Sequence, residues 1–181
     1  SLFIIFIILG IARLIFMMIL TSREKRKKVI LDSSLLENAP LVSIIVPAYN
    51  EEVNAVSSLN NLLKQDYPNF NIIFVDDGSK DETYKRVYEA LSGNEKMRIF
   101  TKPNGGKASA LNFGIQHTNA EYVVCIDADT KLYPNAVSLM MLHFLDKSNN
   151  ENVGAVAGNV KVGNQINMLT KWQAIEYTTS Q

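Results

Sequence analysis

Hydrophobic positions fall into two patterns along the chain. From Leu2 to Leu20 the apolar residues run on without periodicity, broken only by Gly10 and Arg13. Nineteen residues at about 1.5 Å each come close to a hydrocarbon core of about 30 Å, so the run predicts a transmembrane helix. A buried helix of a soluble protein is the alternative. From Pro40 onward the pattern changes to short apolar runs rich in β-branched residues: Val42 to Val46, Ile72 to Val75, Met97 to Phe100, Tyr122 to Ile126 and Val153 to Ala157. Most are apolar on both faces, as strands of a covered parallel sheet are. Three stripes between them have helical spacing: Val53, Val56, Leu59, Leu62 and Leu63; Ala108, Leu111 and Ile115; Val137, Met140, Met141, Phe144 and Leu145. The methionines in the last read as core filling. Strand and helix in alternation predict an α/β domain, a mostly parallel sheet with flanking helices and right-handed crossovers. Ligands of such sheets sit beyond the carboxyl ends of the strands. The segments to inspect are therefore Pro47 to Glu52, Asp76 to Ser79, Lys102 to Lys107 and Asp127 to Thr130.

Charge sharpens the division. The 181 residues hold 18 basic and 18 acidic side chains and are 47% apolar, which excludes a disordered chain and a bulk polyanion binder. Neutrality belongs to neither part, however. Arg23, Lys25, Arg26, Lys27 and Lys28 follow the apolar run, and from Val29 onward 12 basic residues face 17 acidic ones. A secretory signal places its basic residues before the apolar stretch, so the order here favours a membrane anchor, with everything after it cytoplasmic. The predicted division is 1–21 transmembrane helix, 22–40 basic juxtamembrane linker and 41–181 ligand-binding α/β body, an incomplete domain. Arg13 either snorkels, faces a neighbouring helix or makes a polar contact in a transport path, since a mid-membrane arginine costs about 2.5–3.5 kcal/mol. The basic cluster is a solvated flank that can also attract anionic lipid. No aromatic residues interleave with it, so nucleic acid is not an expected partner. One cysteine and two histidines exclude a disulfide framework and a Cys/His zinc site. Cys125 reads as a buried strand residue, and His117 and His143 as surface or packing residues.

The strand ends carry the candidate chemistry. Pro47, Ala48, Tyr49, Asn50, Glu51 and Glu52 follow the first run. The proline is expected to stop the ladder, and Tyr49 is either packing or a flat surface for a planar ring. Asp76, Asp77, Gly78 and Ser79 can accept hydrogen bonds from a base or ribose, or simply form a turn and helix cap with Asp81, Glu82 and Thr83. Lys102 to Lys107 precedes a helix, as an anion site does. Thr101 stands where a P-loop needs glycine and Ala108 where it needs a hydroxyl, so a Walker NTPase is rejected, and no G-x-G occurs for a dinucleotide fold. Asp127 and Asp129, two residues apart, can point to one side and bind a hard divalent cation. Lys131 and Leu132 exclude an EF-hand. Without a cation or lysine, these like charges repel. No G-x-S-x-G or nucleophile and base pair is present, which turns the reading toward metal and phosphate chemistry.

Taken together, VSIIVPAYNEE, VDDGSKDET, KPNGGKASALN and VCIDADT resemble, in order and spacing, the donor half of the family 2 inverting glycosyltransferases with the Rossmann-like GT-A fold. With GAVAGNVKVGN and WQAIEY, the chain looks like the membrane-embedded processive synthases of hyaluronan, chitin, cellulose and poly-N-acetylglucosamine, the last and the chitin type nearest. The resemblance implies a UDP-sugar donor, UDP-N-acetylglucosamine favoured, and a polysaccharide or lipid-linked acceptor at the cell membrane. Pro47, Ala48, Tyr49 and Glu51 would line the uridine pocket, and Asp77 with Asp76 would contact uracil or ribose. Lys107 would meet the diphosphate, and Asp127 and Asp129 would hold Mg²⁺ or Mn²⁺. Two family motifs, a Thr-Glu-Asp-like general base and Q-x-x-R-W, do not occur. Gln65, Gln116, Gln165 and Gln173 all lack Arg-Trp at the required offset. With Ser1 in place of an initiator methionine, the chain therefore reads as a C-terminally truncated piece that holds the donor site, its general base expected beyond Gln181. A non-processive transferase acting on a lipid carrier and a non-catalytic sugar-nucleotide-binding module are the alternatives.

Overall fold

The computed structural model describes residues 2–23, 36, 38–145 and 153–158. The chain separates into two compact units, Ser1–Ile30 and Leu31–Gln181. The first holds one helix, α1 (Leu2–Arg23). Its large apolar side chains from Ile4 to Ile19 are exposed. Among the described residues no helix is long and apolar enough to cross a membrane. Most of the basic linker and the whole of WQAIEY lie outside the described residues.

The second unit follows the expected alternation: β1 (Val42–Ala48), α2 (Ala55–Leu62), β2 (Phe70–Asp76), α3 (Thr83–Leu91), β3 (Met97–Thr101), α4 (Lys107–Gln116), β4 (Tyr122–Cys125) and α5 (Ala136–Leu145). All strand pairs are parallel, in the order β3-β2-β1-β4. The chain thus steps outward from β1 through β2 to β3, then returns past β1 to β4. Right-handed crossovers require helices on opposite faces for the two directions. The packing agrees: Leu59, Leu62, Val87 and Leu91 of α2 and α3 join Val42, Ile44, Val46, Ile72 and Phe74 in one core, with Val137 and Met141 of α5. Ala110 of α4 joins Ile45, Ile73 and Val75 on the other face. Period-2 alternation along β1 and β2 feeds both cores, which is why these central strands are apolar throughout.

Several details depart from the pattern. Val153 to Ala157 is not a strand; it is irregular and partly exposed. Pro47 does not stop the ladder but lies inside it, opposite Val75. Val42 N–H reaches Asn69 O and Ala48 O accepts from Asp77 N–H, so even-numbered residues of β1 bond β2 and odd-numbered ones turn toward β4. The pairing with β4 ends at Ile45 opposite Cys125. The N–H that proline lacks would thus point past the end of β4, and no ladder bond is lost. Cys125 is exposed, not buried, because among the described residues β4 is an edge strand, in which Tyr122 and Val124 face the core.

The helical stripes shift as well. Val53 precedes α2 and is exposed, and the buried face of α2 is Ala55, Ser58, Leu59 and Leu62. In α4 the inward positions are Ala110 and Gly114, while Ala108 and Ile115 are exposed. The reason is proximity: a Cβ on Gly114 would lie 2.5 Å from Ile45 Cγ2, so only the smallest residues let α4 approach the sheet. No apolar stripe marks α3, whose start the sequence signals only through the helix cap at Asp81 to Thr83: its inward side is Thr83, Val87 and Leu91, one residue per turn on an otherwise polar helix. His117 packs as expected, stacked on Phe113 at 4.0 Å between centroids.

Loops around the sheet are tied by side chains. Asp81 accepts from the Thr83 amide at 3.0 Å and hydroxyl at 2.5 Å, and from Glu52 N–H at 3.3 Å. It thereby starts α3 and links it to the β1–α2 loop. Burial pushes the Asp81 carboxyl up, but these hydrogen bonds outweigh it and leave its pKa below the ordinary 3.8. A carboxylate lowered in the folded state contributes stability that is whole above its unfolded pKa and lost as pH falls through the folded one. Resistance of the wild type to urea should therefore fall below pH 3.8, and Asp81→Asn should flatten that slope; an unchanged slope would remove Asp81 from the account. Gly114→Val should cost about 1–3 kcal/mol in the same assay, because overpacking forces α4 off the sheet. An unaltered midpoint would mean that α4 does not sit this close.

Candidate functional site

Parallel pairing brings all four carboxyl ends of the strands to one edge, and the order reverses between β1 and β4. A crevice is expected there. A cleft of about 450 Å³ opens at this place, lined by residues of each expected segment except the β2–α3 turn beyond Asp77: Pro47, Ala48, Tyr49 and Glu51 after β1; Asp77 after β2; Asn104, Gly106 and Lys107 before α4; Asp127 and Asp129 after β4. Tyr49 lines it and is partly exposed.

The β1 loop owes its shape to cross-links with the β2–α3 turn. Asn50 adopts a left-handed backbone (φ 56°), which asparagine tolerates, and its side-chain oxygen accepts from Lys80 N–H at 2.9 Å. Asn50 N–H donates to Ser79 Oγ at 2.9 Å, and Glu51 N–H to Thr83 Oγ1 at 2.8 Å. Turn and ligand readings of Asp76 to Thr83 are thus not exclusive, since the turn carries the loop that lines the cleft.

Asp76 and Asp77 have different surroundings. Asp76 is buried and does not line the cleft. Its Oδ2 accepts from Thr101 Oγ1 at 2.9 Å and Ser79 N–H at 3.3 Å, and its Oδ1 is buried without a partner. Asp77 borders the cleft, and its carboxylate receives Lys102 Nζ at 2.5 Å, Gly105 N–H at 3.0 Å and Gly106 N–H at 2.7 Å. Burial pushes the Asp77 carboxyl up, but the lysine and the two amides together hold it below the ordinary carboxylate value. Gly78 (φ 71°) makes this closeness possible: a Cβ there would lie 2.8 Å from Asn104 N. Lys102 is the residue that sequence reasoning missed; it appeared only as the first letter of a loop, with no spacing rule to single it out.

At the opposite wall, Ile126 and Ala128 are buried while Asp127 and Asp129 are exposed. Both Asp127 and Asp129 line the cleft. Lys107, the first residue of α4, forms an ion pair with Asp127 and so relieves the repulsion between the two. The segment after Asp129 is fixed to α2 and the residues that follow it: Asn61 Oδ1 accepts from Leu132 N–H at 2.7 Å, and Gln65 donates to Tyr133 O at 2.9 Å and accepts from Val137 N–H at 3.1 Å. Gln65 therefore has a structural task.

Chemically, the cleft offers an aromatic face, a lysine at a helix start and a pair of carboxylates, a combination suited to a nucleotide diphosphate with a cation. Among the described residues, no group of three or more His, Cys, Asp or Glu side chains could hold a metal by itself.

Comparison with known proteins agrees in family and fold. The model of the family described as "Glycosyl transferase family 2" matches residues 43–180. A poly-β-1,6-N-acetyl-D-glucosamine synthase of Staphylococcus epidermidis is 36% identical over 138 residues, 76% of this chain and 33% of that protein. One from Staphylococcus aureus is 34% identical over the same extent. The chain thus spans about a third of the length of these relatives. Among solved structures, a mannosyltransferase of Pyrobaculum calidifontis in complex with GDP-Man and Mn²⁺ aligns at TM-score 0.59 and 29% identity, covering 68% of this chain and 36% of that one. Residues 1–349 of S. aureus TarS in complex with UDP-GlcNAc align at 0.53 and 23% identity, covering 68% and 41%, a likeness of fold. With its four-stranded parallel sheet and a family match that covers most of its length, the chain belongs to glycosyl transferase family 2.

Proposed function

We propose that the chain carries the donor site of an inverting, metal-assisted transferase that moves N-acetylglucosamine from UDP-N-acetylglucosamine to a growing polysaccharide. One observation carries the reading: a single cleft at the strand-order reversal gathers Tyr49, Asp77, Lys107, Asp127 and Asp129 from four separate strand ends. The staphylococcal relatives, named as N-acetylglucosamine polymer synthases, support the choice of sugar and product. The mannosyltransferase, whose complex holds a nucleotide sugar and Mn²⁺, supports a cation-assisted donor site on this fold.

In this reading Tyr49 stacks on uracil, and Pro47, Ala48 and Glu51 shape its pocket. Asp77, with Asp76 behind it, fixes the base side of the cleft, while Lys107 binds the diphosphate. Asp127 and Asp129 hold Mg²⁺ or Mn²⁺. Two carboxylates lining one cleft suit a hard cation that takes its remaining oxygens from phosphate and water. When bound, the cation offsets negative charge on the departing nucleotide. Lys107 adds a fixed positive charge at the same place, worth most in a site that excludes water. Every carboxylate that lines the cleft has a task here, so the acceptor's proton passes to a base outside this set.

We also propose that α1 meets the membrane: no described helix is by itself long and apolar enough to cross one, but the described apolar side chains of α1 are exposed, and in the sequence Leu2, Phe3 and Leu20 extend the apolar run at both ends. The division is then 1–21 in the membrane, 22–40 as basic linker and 41–181 as donor body on the cytoplasmic side.

The decisive experiment titrates UDP-N-acetylglucosamine with Mn²⁺ into the full chain in detergent, by calorimetry. Asp129→Ala should weaken metal-dependent binding by about tenfold or more, a loss of about 1.4 kcal/mol or more. Equal metal-dependent affinity in the variant would sink the assignment of the carboxylate pair.

A further inference from the structure

We propose that Lys102 is a positioning residue of the donor cleft, holding through Asp77 the loop that delivers Lys107 to the diphosphate. The proposal rests on the reading of the cleft as a nucleoside diphosphate site. Lys102 itself does not line the cleft; the residues of its loop that do are Asn104, Gly106 and Lys107. Its side chain is 14% exposed and that of Asp77 only 4%, so both charges are largely withdrawn from water. A lysine in that place is a poor ligand for anything arriving from solvent, but a strong internal anchor.

The anchor has a definite direction. Lys102 N–H bonds Asp76 O at 3.0 Å, which carries the β3 ladder to the end of β2. Its Nζ then turns back to Asp77 at 2.5 Å and to Pro103 O at 2.7 Å. The remaining acceptor capacity of Asp77 goes to Gly105 and Gly106. The last of these bonds lies one residue before Lys107, where α4 begins and where the ion pair with Asp127 forms. A buried carboxylate needs its counter-charge. With the ammonium removed, Asp77 either takes up a proton or draws in water, and in both cases its hold on the two glycine amides slackens. Lys107 then samples many positions, and the diphosphate must order it on binding.

The test compares UDP binding with Mn²⁺ in the full chain for wild type, Lys102→Met, Lys102→Arg, Lys107→Met and the double variant Lys102→Met/Lys107→Met. Lys102→Met is expected to weaken UDP by about tenfold, and Lys102→Arg to restore most of it. In the Lys107→Met background the Lys102 substitution should cost almost nothing more, because its effect passes through Lys107. Wild-type affinity in Lys102→Met, or losses that add in full, would overturn the proposal. A second measurement needs no variant: amide hydrogen exchange at Gly105 and Gly106 is expected to be slow in the wild type, and exchange at the rate of a free peptide would refute the tether even if Lys102→Met fails to fold. Absence of UDP binding in the wild type would take down the nucleotide reading, and the positioning role with it, while slow exchange would still show the tether.

Discussion

Everything at the cleft depends on β1 being paired in parallel on both sides. The register sets Ala48 opposite Asp76 and Ile45 opposite Cys125, so the chain leaves β1, β2 and β4 at the same edge. A parallel strand needs a crossover, and a crossover needs covered faces. The two apolar cores on either side of β1 meet that need. Pro47 fits the scheme because β4 has already ended where its missing donor would point. A sheet of the same residues with one strand reversed would scatter Tyr49, Asp77 and Asp127 to opposite ends.

Such convergence gathers backbone ends and carboxylates in one place, and the molecule answers the resulting electrostatic problem residue by residue. Asp77 is matched by Lys102 and two amides, Asp127 by Lys107, and Asp81 by Thr83 and the Glu52 amide. The two lysines differ in kind. Lys102 is largely enclosed, so its pair with Asp77 is part of the architecture, whereas Lys107 and Asp127 are both more than half exposed. An exposed pair is held by little energy and can open for a stronger partner. A diphosphate can thus compete for Lys107 while leaving the anchor at Lys102 in place.

What the sequence reveals follows from which forces are local. The strands were legible because Val42 to Val46 and Ile72 to Val75 are buried on both faces, and the segments at their ends, Asp76 excepted, supply residues that line the cleft. The helices were less so. α3 hides because one inward residue per turn, Thr83, Val87 and Leu91, gives no apolar stripe. α4 misleads because its packing face is made of Ala110 and Gly114, chosen for smallness, so the apolar Ile115 points outward. Val153 to Ala157 has strand composition without strand structure. Cys125 looks buried until the strand order places β4 at the edge. Lys102 was illegible for a different reason: its role is set by a carboxylate 25 residues earlier, and only the fold brings the two together.

The excess of carboxylates at the cleft bears on the need for a cation. With Asp77 matched by Lys102, the lining carboxylates Glu51, Asp127 and Asp129 still face Lys107 as the lining lysine among the described residues. Among the described residues Asp129 has one hydrogen-bonding neighbour, the Thr130 hydroxyl at 3.3 Å. A diphosphate entering this rim meets like charge, and one lysine shared with Asp127 cannot offset both the carboxylate pair and the phosphates. Acidic side chains placed against an anionic ligand would be a defect in a simple phosphate pocket. In the proposed reading a divalent ion would lie between them and the ligand, the same carboxylates that repel a phosphate alone holding the ion that attracts it.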